Sequence, residues 1–470
     1  MAVKVIEESR ISSPQHSTPP ETSLPLTFFD VIWMIMPPVK RLFFYEFHHS
    51  NQHFIETVLP HMKHSLSQAL QLFYPFAGHL ITPDYDHHDS VPEIACSDGD
   101  SITLTVAETD FDFKHLSGHH ARDVTDFFPL VPKLALVSKS DFFSPLMAIQ
   151  VTLFTDSSCS PFGISIGITY HHVVADGKIF NQFIKCWASI SKFGFDEQEN
   201  IPFFDRSVIK DPNGLCALYL KQLNQLNESI KTLQLAHSIV PVAPIDKVRA
   251  TFVLGRLQIE KLKQWIAKKM EGTNSSANSS SVFAFHLSTF VIASAYVWVC
   301  LTKSQEDEEN EKYFAFSVDC RDRLDPPIPK FYFGNCLLVH VVKANKSDLI
   351  GENGIFGAAE IIGTKVQKIN EQSSILEGAE TFVKEMYTLF ESGARVLSVA
   401  GSPKFKVYET DFGWGRPKKV EVVSIEDSGA MSLFDSRDDE NGGVEVAVVL
   451  SKLEMDAFAS LFEDTVKILA

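Results

Sequence analysis

The apolar positions change period several times along the chain, and each change marks an element. Val3 to Ile11 reads as a short strand, and a loop rich in Ser and Pro runs on to about Ser23. Leu42 to Phe47 is an apolar strand candidate. From His53 to Phe73 the period becomes helical, with Phe54, Val58, Met62, Leu66, Ala69 and Phe73 on one face. Pro75 and Gly78 end that helix. Ser101 to Glu108 and Met147 to Phe154 alternate as strands.

Beyond residue 200 the pattern lapses into proline, charge and a Pro-Asn-Gly turn, which reads as a crossover loop over 206–225. Arg249 to Leu254 is then a strand. Gln258 to Met270 is a helix with Ile259, Leu262 and Ile266 inward and lysines outward. Residues 272–281 are a Ser/Asn surface loop, and Ser288 to Leu301 is a buried helix. The acidic run Ser304 to Glu311 is a solvated loop. Tyr313 to Asp319 and Cys336 to Val342 read as strands. Ile355–Ile369 and Ala379–Phe390 return to the helical period. Val420–Ile425, Met431–Phe434 and Val444–Leu450 alternate, with a turn at Asn441-Gly442-Gly443, and Lys452–Leu469 closes as an amphipathic helix.

The most informative stretch is Gly163 to Phe183. Ile164, Ile166 and Ile168 alternate with small residues as a strand, and Phe180, Phe183, Ile184 and Trp187 share a helix face. Between them sit His171, His172, Asp176 and Gly177. A short polar junction between two buried elements can hold a reactive side chain rigidly. Asp176, directly before the helix, is placed to be its N-cap. The adjacent histidines should diverge, and no cysteine is near, so a metal site is not expected. Gly163-Ile164-Ser165-Ile166-Gly167 fits the GxSxG pattern of hydrolases. That motif needs a sharp turn at the serine, whereas here the alternation runs on past Ser165.

His172-Val173-Val174-Ala175-Asp176-Gly177 resembles the HxxxDG motif of plant BAHD acyltransferases. Asp411-Phe412-Gly413-Trp414-Gly415 resembles that family's second signature. Tyr332-Phe333-Gly334-Asn335-Cys336 and Val399-Ala400-Gly401-Ser402-Pro403 look like the branch that acylates flavonoid and anthocyanin glycosides, and Leu24-Pro25-Leu26-Thr27-Phe28-Phe29-Asp30 extends the likeness to the N-terminus. The resemblance implies an α/β fold of two chloramphenicol-acetyltransferase-like domains, each a mixed β-sheet with helices, with a solvent channel between them. It implies His172 as general base, suited by an imidazole pKa near about 6.5, and a structural role for His171. It implies that Asp176 pairs with an arginine, Arg321 or else Arg323, and that Gly177, Asp411, Gly413, Trp414 and Gly415 support the structure.

The resemblance further implies an acyl-CoA co-substrate and a phenolic glucoside acceptor, with no permanently bound cofactor, no metal and no acyl-enzyme. Malonyl-CoA to a sugar 6-hydroxyl is the reading taken. The alternative is a coumaroyl or caffeoyl donor. Some malonyltransferases carry an arginine one helical turn beyond the motif aspartate, where this chain has Phe180, with Lys178 the nearest cation. Lys178 and Phe180 are therefore the acyl-pocket candidates. Lys261, Lys263, Lys268 and Lys269, with Ser288 and Thr289 at a helix start, are the candidates for the CoA phosphates. Phe127, Phe128, Phe142 and Phe143 are core, or line an aromatic acceptor site. A condensation-type domain shares HHxxxDG, but Asp411–Gly415 and the lack of carrier domains count against it. A non-catalytic binding protein would not need His172.

Composition narrows this further. A chain of 470 residues suggests two domains of roughly 200 residues each, taken here as 1–205 and 226–470. The net charge of -17 argues against nucleic-acid or anionic-membrane partners and requires a local basic patch for a polyanionic CoA. The seven cysteines (Cys96, Cys159, Cys186, Cys216, Cys300, Cys320 and Cys336) are widely spaced without a CxxC, as in a reducing compartment. No apolar leader opens the sequence, and the longest apolar run, near Phe290 to Leu301, is too short to span a bilayer. A cytoplasmic monomer is expected.

Overall fold

The structure is a computed structural model. It describes residues 3–19, 21–82, 91–134, 143–155, 162–195, 201–225, 246–276, 285–371, 375–439 and 442–468. Three sheets carry the fold. A six-stranded mixed sheet has the order Val3–Ser12, Ser101–Thr109, Met147–Phe154, Phe162–Tyr170, Val39–Phe47, Lys419–Val422. A seven-stranded mixed sheet runs Leu337–Asn345, Glu311–Asp319, Val396–Ala400, Ala430–Asp435, Val444–Ser451, Lys247–Leu254, Arg122–Asp123. A four-stranded sheet (Glu21–Pro25, Glu93–Ser97, His79–Ile81, Phe143–Pro145) completes the first half. Helices Leu59–Leu72 and Gly177–Phe193 pack together beside the first large sheet. Helices Thr289–Ser304, Gly354–Glu371 and Lys452–Ile468 pack beside the second.

Both large sheets borrow a strand. Lys419–Val422, late in the chain, pairs antiparallel with Val39–Phe47, and Arg122 pairs across from Arg249. The chain therefore crosses the expected 206–225 division in both directions. That segment is also more ordered than expected. It starts with a 3-10 turn at Arg206–Val208, and residues 215–225 are helical. Asp211 accepts from Leu215 N at 2.7 Å and Cys216 N at 2.8 Å, so an aspartate starts the helix that the sparse apolar pattern hid.

Other differences follow from short or local elements. The Leu59–Leu72 helix is entered through a π-helical turn at Phe54–Val58. The helix of 258–270 extends over Arg256–Ser276, into the first residues expected to be loop. The run 420–425 is strand only to Val422, and Ile425–Ser428 is a helical turn. Strands of three to five residues, such as His79–Ile81 and Val396–Ala400, are too short for alternation to mark them. Phe127 is fully buried, with Phe128 packed on the same cluster, which is the core reading. Phe142, residues 277–281 of the expected Ser/Asn loop and Asn441 lie outside the described residues. No helix among the described residues is long and apolar enough to cross a membrane.

Where the borrowed strands meet, charge is buried. Glu421 is fully buried, with Oε1 3.0 Å from Arg122 Nη2 and Oε2 3.1 Å from Arg249 Nη1. Arg249 also donates to the Val422 and Val423 carbonyls, both at 2.8 Å. Burial pushes the Glu421 pKa up, but the two guanidiniums outweigh it and bring it down to about 2. Glu421→Gln leaves two buried cations short of a counter-charge. It should lower unfolding free energy by about 3–5 kcal/mol, read from the midpoint of a urea titration at neutral pH. In the parent this carboxylate's contribution is present above its unfolded pKa and is lost as pH falls toward about 2. An unchanged midpoint in the variant would remove Glu421 as the clasp between the sheets.

Candidate active site

The Phe162–Tyr170 strand is central in its sheet, paired with Met147–Phe154 on one side and Val39–Phe47 on the other. Ser165 lies in its middle, fully buried, so it is a strand residue and not the tip of a turn. The chain turns at the histidines, where Val174 N donates to His171 O at 3.2 Å. The helix Gly177–Phe193 then begins. Asp176 caps it, with Oδ1 accepting from Lys178 N and Ile179 N, each at 3.1 Å. Its Oδ2 accepts from Arg321 Nη1 at 2.7 Å and from Cys336 N at 3.3 Å. Arg321 is thus the partner, and it also donates to the Tyr332 carbonyl at 3.1 Å and the Gly334 carbonyl at 3.0 Å. Arg323 instead contacts Asn370 and the Asp319 carbonyl. Burial disfavours the Arg321 charge, and Asp176 and Asp319 overcome it, so its pKa is raised.

His172 is half-buried. Its Nδ1 is sealed from solvent with no hydrogen-bond partner among the described residues. Its ring stacks on Trp33, with centroids 4.0 Å apart and planes 8° apart. Asn335 holds its backbone, with Nδ2 2.8 Å from the His172 carbonyl and 3.2 Å from that of Val173. Asn335 is held in turn by Asp30 Oδ1, which accepts from its N at 2.9 Å and from its Nδ2 at 3.1 Å. Asp30 Oδ2 takes Arg206 Nη1 at 3.0 Å, and a side chain on Gly334 (φ +136) would sit 2.2 Å from that same Nη1. Burial lowers the pKa of His172 to about 4, and that of His171 to about 4, with the neighbouring imidazole adding to the latter. Both rings are neutral at physiological pH.

His172 opens on a channel of about 2470 Å³ that both halves line. Trp33, Arg41, Tyr170, His171, Gly177 and Lys178 come from the first half, and Ser288, Thr289, Asp319, Ser398 and Asp411 from the second. Lys178 is there, but its Nζ is 2.8 Å from Asp319 Oδ2. It is not the spare cation the sequence suggested. Phe180 is fully buried, stacks on Tyr170 at 4.6 Å, and does not line the channel. Lys261, Lys263, Lys268 and Lys269 do not line it either. Lys263 pairs with Glu260, and Lys269 lies over Trp265. Ser288 and Thr289 do line it, with Ser288 capping the helix by accepting from Val291 N at 3.2 Å.

Asp411 Oδ1 accepts from Gly413 N at 2.8 Å and Gly415 N at 2.9 Å, closing a turn in which both glycines have positive φ. Its Oδ2 holds Lys192 at 2.6 Å. Trp414 is edge-on to Tyr45, Phe47 and Phe54 and is outside the channel lining. The sequence reading passed over Trp33, Asn335, Asp30 and Arg41. Two of these lay inside stretches already matched to the family, at Leu24–Asp30 and Tyr332–Cys336, which was the available signal.

Among the described residues no group of three or more His, Cys, Asp or Glu side chains could hold a metal. Among the described residues no serine or cysteine hydrogen-bonds the His172 ring, and no cysteine lines the channel. A neutral imidazole, exposed by its outer nitrogen to a channel open to both halves, suits proton abstraction from one bound molecule by attack on another.

The fold matches vinorine synthase with a TM-score of 0.65 at 18% identity, covering 98% of each chain. In sequence, the chain is 40% identical to malonyl-coenzyme A:anthocyanin 3-O-glucoside-6''-O-malonyltransferase of Dahlia pinnata, over 98% of this chain and 96% of that protein. It is 37% identical to phenolic glucoside malonyltransferase 1 of Nicotiana tabacum, over 97% and 98%. The model of the "Transferase family" matches residues 1–465. With both signature segments, the fold and this extent of identity in agreement, the chain belongs to the BAHD transferase family.

Proposed function

We propose that this enzyme moves a malonyl group from malonyl-CoA to the sugar 6-hydroxyl of a flavonoid or other phenolic glucoside, with His172 as general base. The observation that carries the reading is the neutral, backbone-anchored His172 at the channel. Its relatives' donors and acceptors agree with it. Nδ1 is sealed away, so Nε2 is the nitrogen that meets the acceptor. It takes the hydroxyl proton as the oxygen attacks the thioester carbon. The tetrahedral adduct collapses, the C–S bond breaks, and the imidazolium returns the proton to the CoA thiolate. No covalent enzyme intermediate is needed. Ser288 and Thr289 line the channel at a helix start, which supports them as the groups that would meet CoA phosphates. The two halves, nominally 1–205 and 226–470, supply the two walls.

The reading is tested by incubating the protein with malonyl-, acetyl- and coumaroyl-CoA against a panel of phenolic and flavonoid glucosides. A product heavier by one malonyl group is expected. Coumaroyl products alone would overturn the donor. His172→Ala should lower turnover by roughly 10²–10⁴ with the circular dichroism of the parent. Activity within a few-fold of the parent would remove His172 as base.

Asp176→Asn acts differently. It breaks a buried pair and should cost about 3–5 kcal/mol of stability, along with activity, because the anchor of the His172 loop is lost. The melting temperature tells the two variants apart. If Asp176→Asn melts with the parent yet is inactive, the aspartate acts in the chemistry and the anchoring role fails.

The pH profile follows from burial. Only the neutral imidazole accepts a proton, so kcat/KM falls as pH drops through the free-enzyme pKa. That value is about 4, where an exposed histidine would give the ordinary 6.5. The acid limb should therefore lie well below 6.5, with a near-flat profile between pH 6 and 8 as far as this group is concerned. A limb centred at 6.5 would show that His172 is solvated in the working enzyme.

A further inference from the structure

Four arginines are buried among the described residues, and three are ion-paired: Arg122 with Glu421, Arg249 with Glu421 and Glu426, and Arg321 with Asp176 and Asp319. The fourth is Arg41. It is 4% exposed, and no carboxylate of the described residues pairs with it. Its Nε is buried without a hydrogen-bond partner among them. The guanidinium lies 5.2 Å from the Phe434 ring and 5.9 Å from the Phe180 ring, and interacts with the Tyr170 hydroxyl. Strand alternation sends it away from the Leu42 and Phe44 face, and it lines the channel. Across the sheet it faces Ile168, four residues before His172, whose ring feels its charge.

A buried, unpaired cation is costly, and a ligand that supplies the missing anion recovers that cost. A planar guanidinium suits a carboxylate, which it can grip with two parallel hydrogen bonds. We propose that Arg41 binds the free terminal carboxylate of the acyl donor, and so selects a dicarboxylic acyl-CoA. On the helix that Asp176 caps, Phe180 offers no charge. Here a guanidinium reaches the neighbourhood of that ring from the adjacent strand instead. The inference rests on the malonyl reading above and names the residue that enforces it.

The test compares three donors with one phenolic glucoside: malonyl-CoA, acetyl-CoA, and malonamoyl-CoA, the neutral amide of nearly the same shape. The parent should prefer malonyl-CoA over either by roughly 10²–10³ in kcat/KM, the usual worth of one partner in a desolvated charge pair. Arg41→Gln should collapse both ratios to within a few-fold, and Arg41→Lys should restore part of them. Equal use of malonyl-CoA and malonamoyl-CoA by the parent overturns the assignment, and needs no variant to fold. A loss shared equally by acetyl-CoA and malonyl-CoA in Arg41→Gln, carried in KM, assigns the guanidinium to CoA phosphates and also overturns it. Failure of the underlying reading looks different, since the parent then transfers coumaroyl groups and no malonyl group, which overturns both.

Discussion

One carboxylate holds this active site together. Asp176 gives one oxygen to the first amides of the Gly177–Phe193 helix and the other to Arg321 and the Cys336 amide. Arg321 and Cys336 belong to the far half of the chain. A single buried residue therefore fixes where the helix begins, where the histidine loop ends, and how one wall of the channel meets the other. The pair is well supported: Arg321 Nη1 also reaches Asp319 and Nη2 finds the Tyr332 and Gly334 carbonyls, which leaves Nε as its one donor without a partner among the described residues.

The same economy recurs wherever the halves interlock. Asp30 ties Arg206, Thr27 and Asn335 together under the histidine loop. Glu421 is shared by Arg122 and Arg249, and Glu445 accepts from Lys419 at 2.8 Å and Tyr408 at 2.6 Å. Each cluster joins segments more than twenty residues apart in sequence. Exchanging strands between sheets carries polar side chains into the seam, where only paired charges are tolerated. Against that background an unpaired Arg41 on the channel wall stands apart. Among the described residues the other buried arginines have acidic partners, and Arg41 is the one without.

The protonation state of His172 follows from its apolar surroundings. Trp33 covers one face of the His172 ring, Nδ1 is closed off, and desolvation keeps the imidazole neutral. Burial holds the His172 ring neutral while its position on the channel wall keeps it within reach of a bound molecule. Its position is set through its backbone, by the Asn335 amide on the His172 and Val173 carbonyls, more than through any bond to the ring.

Much of this was legible in the chain before folding. The alternation of Ile164, Ile166 and Ile168 named the strand that carries the histidines. The helical period from Phe180 to Trp187 named the helix behind it, and Asp176 declared itself as a cap by standing just before that helix. These are local properties, set by side-chain direction and by the unpaired amides of a helix start. The signature segments identified the family for the same reason: they are contiguous. What the sequence alone could not decide is which distant residues become neighbours. Arg321 over Arg323, Trp33 against His172, Asn335 under the loop and Arg41 beside Tyr170 all depend on strand order and register, which no short stretch encodes. Lys178 had the right charge and was spent on Asp319, while Arg41, just before the Leu42 to Phe47 run, was not singled out at all. Pairing decides which buried charges remain available, and pairing is a property of the tertiary fold.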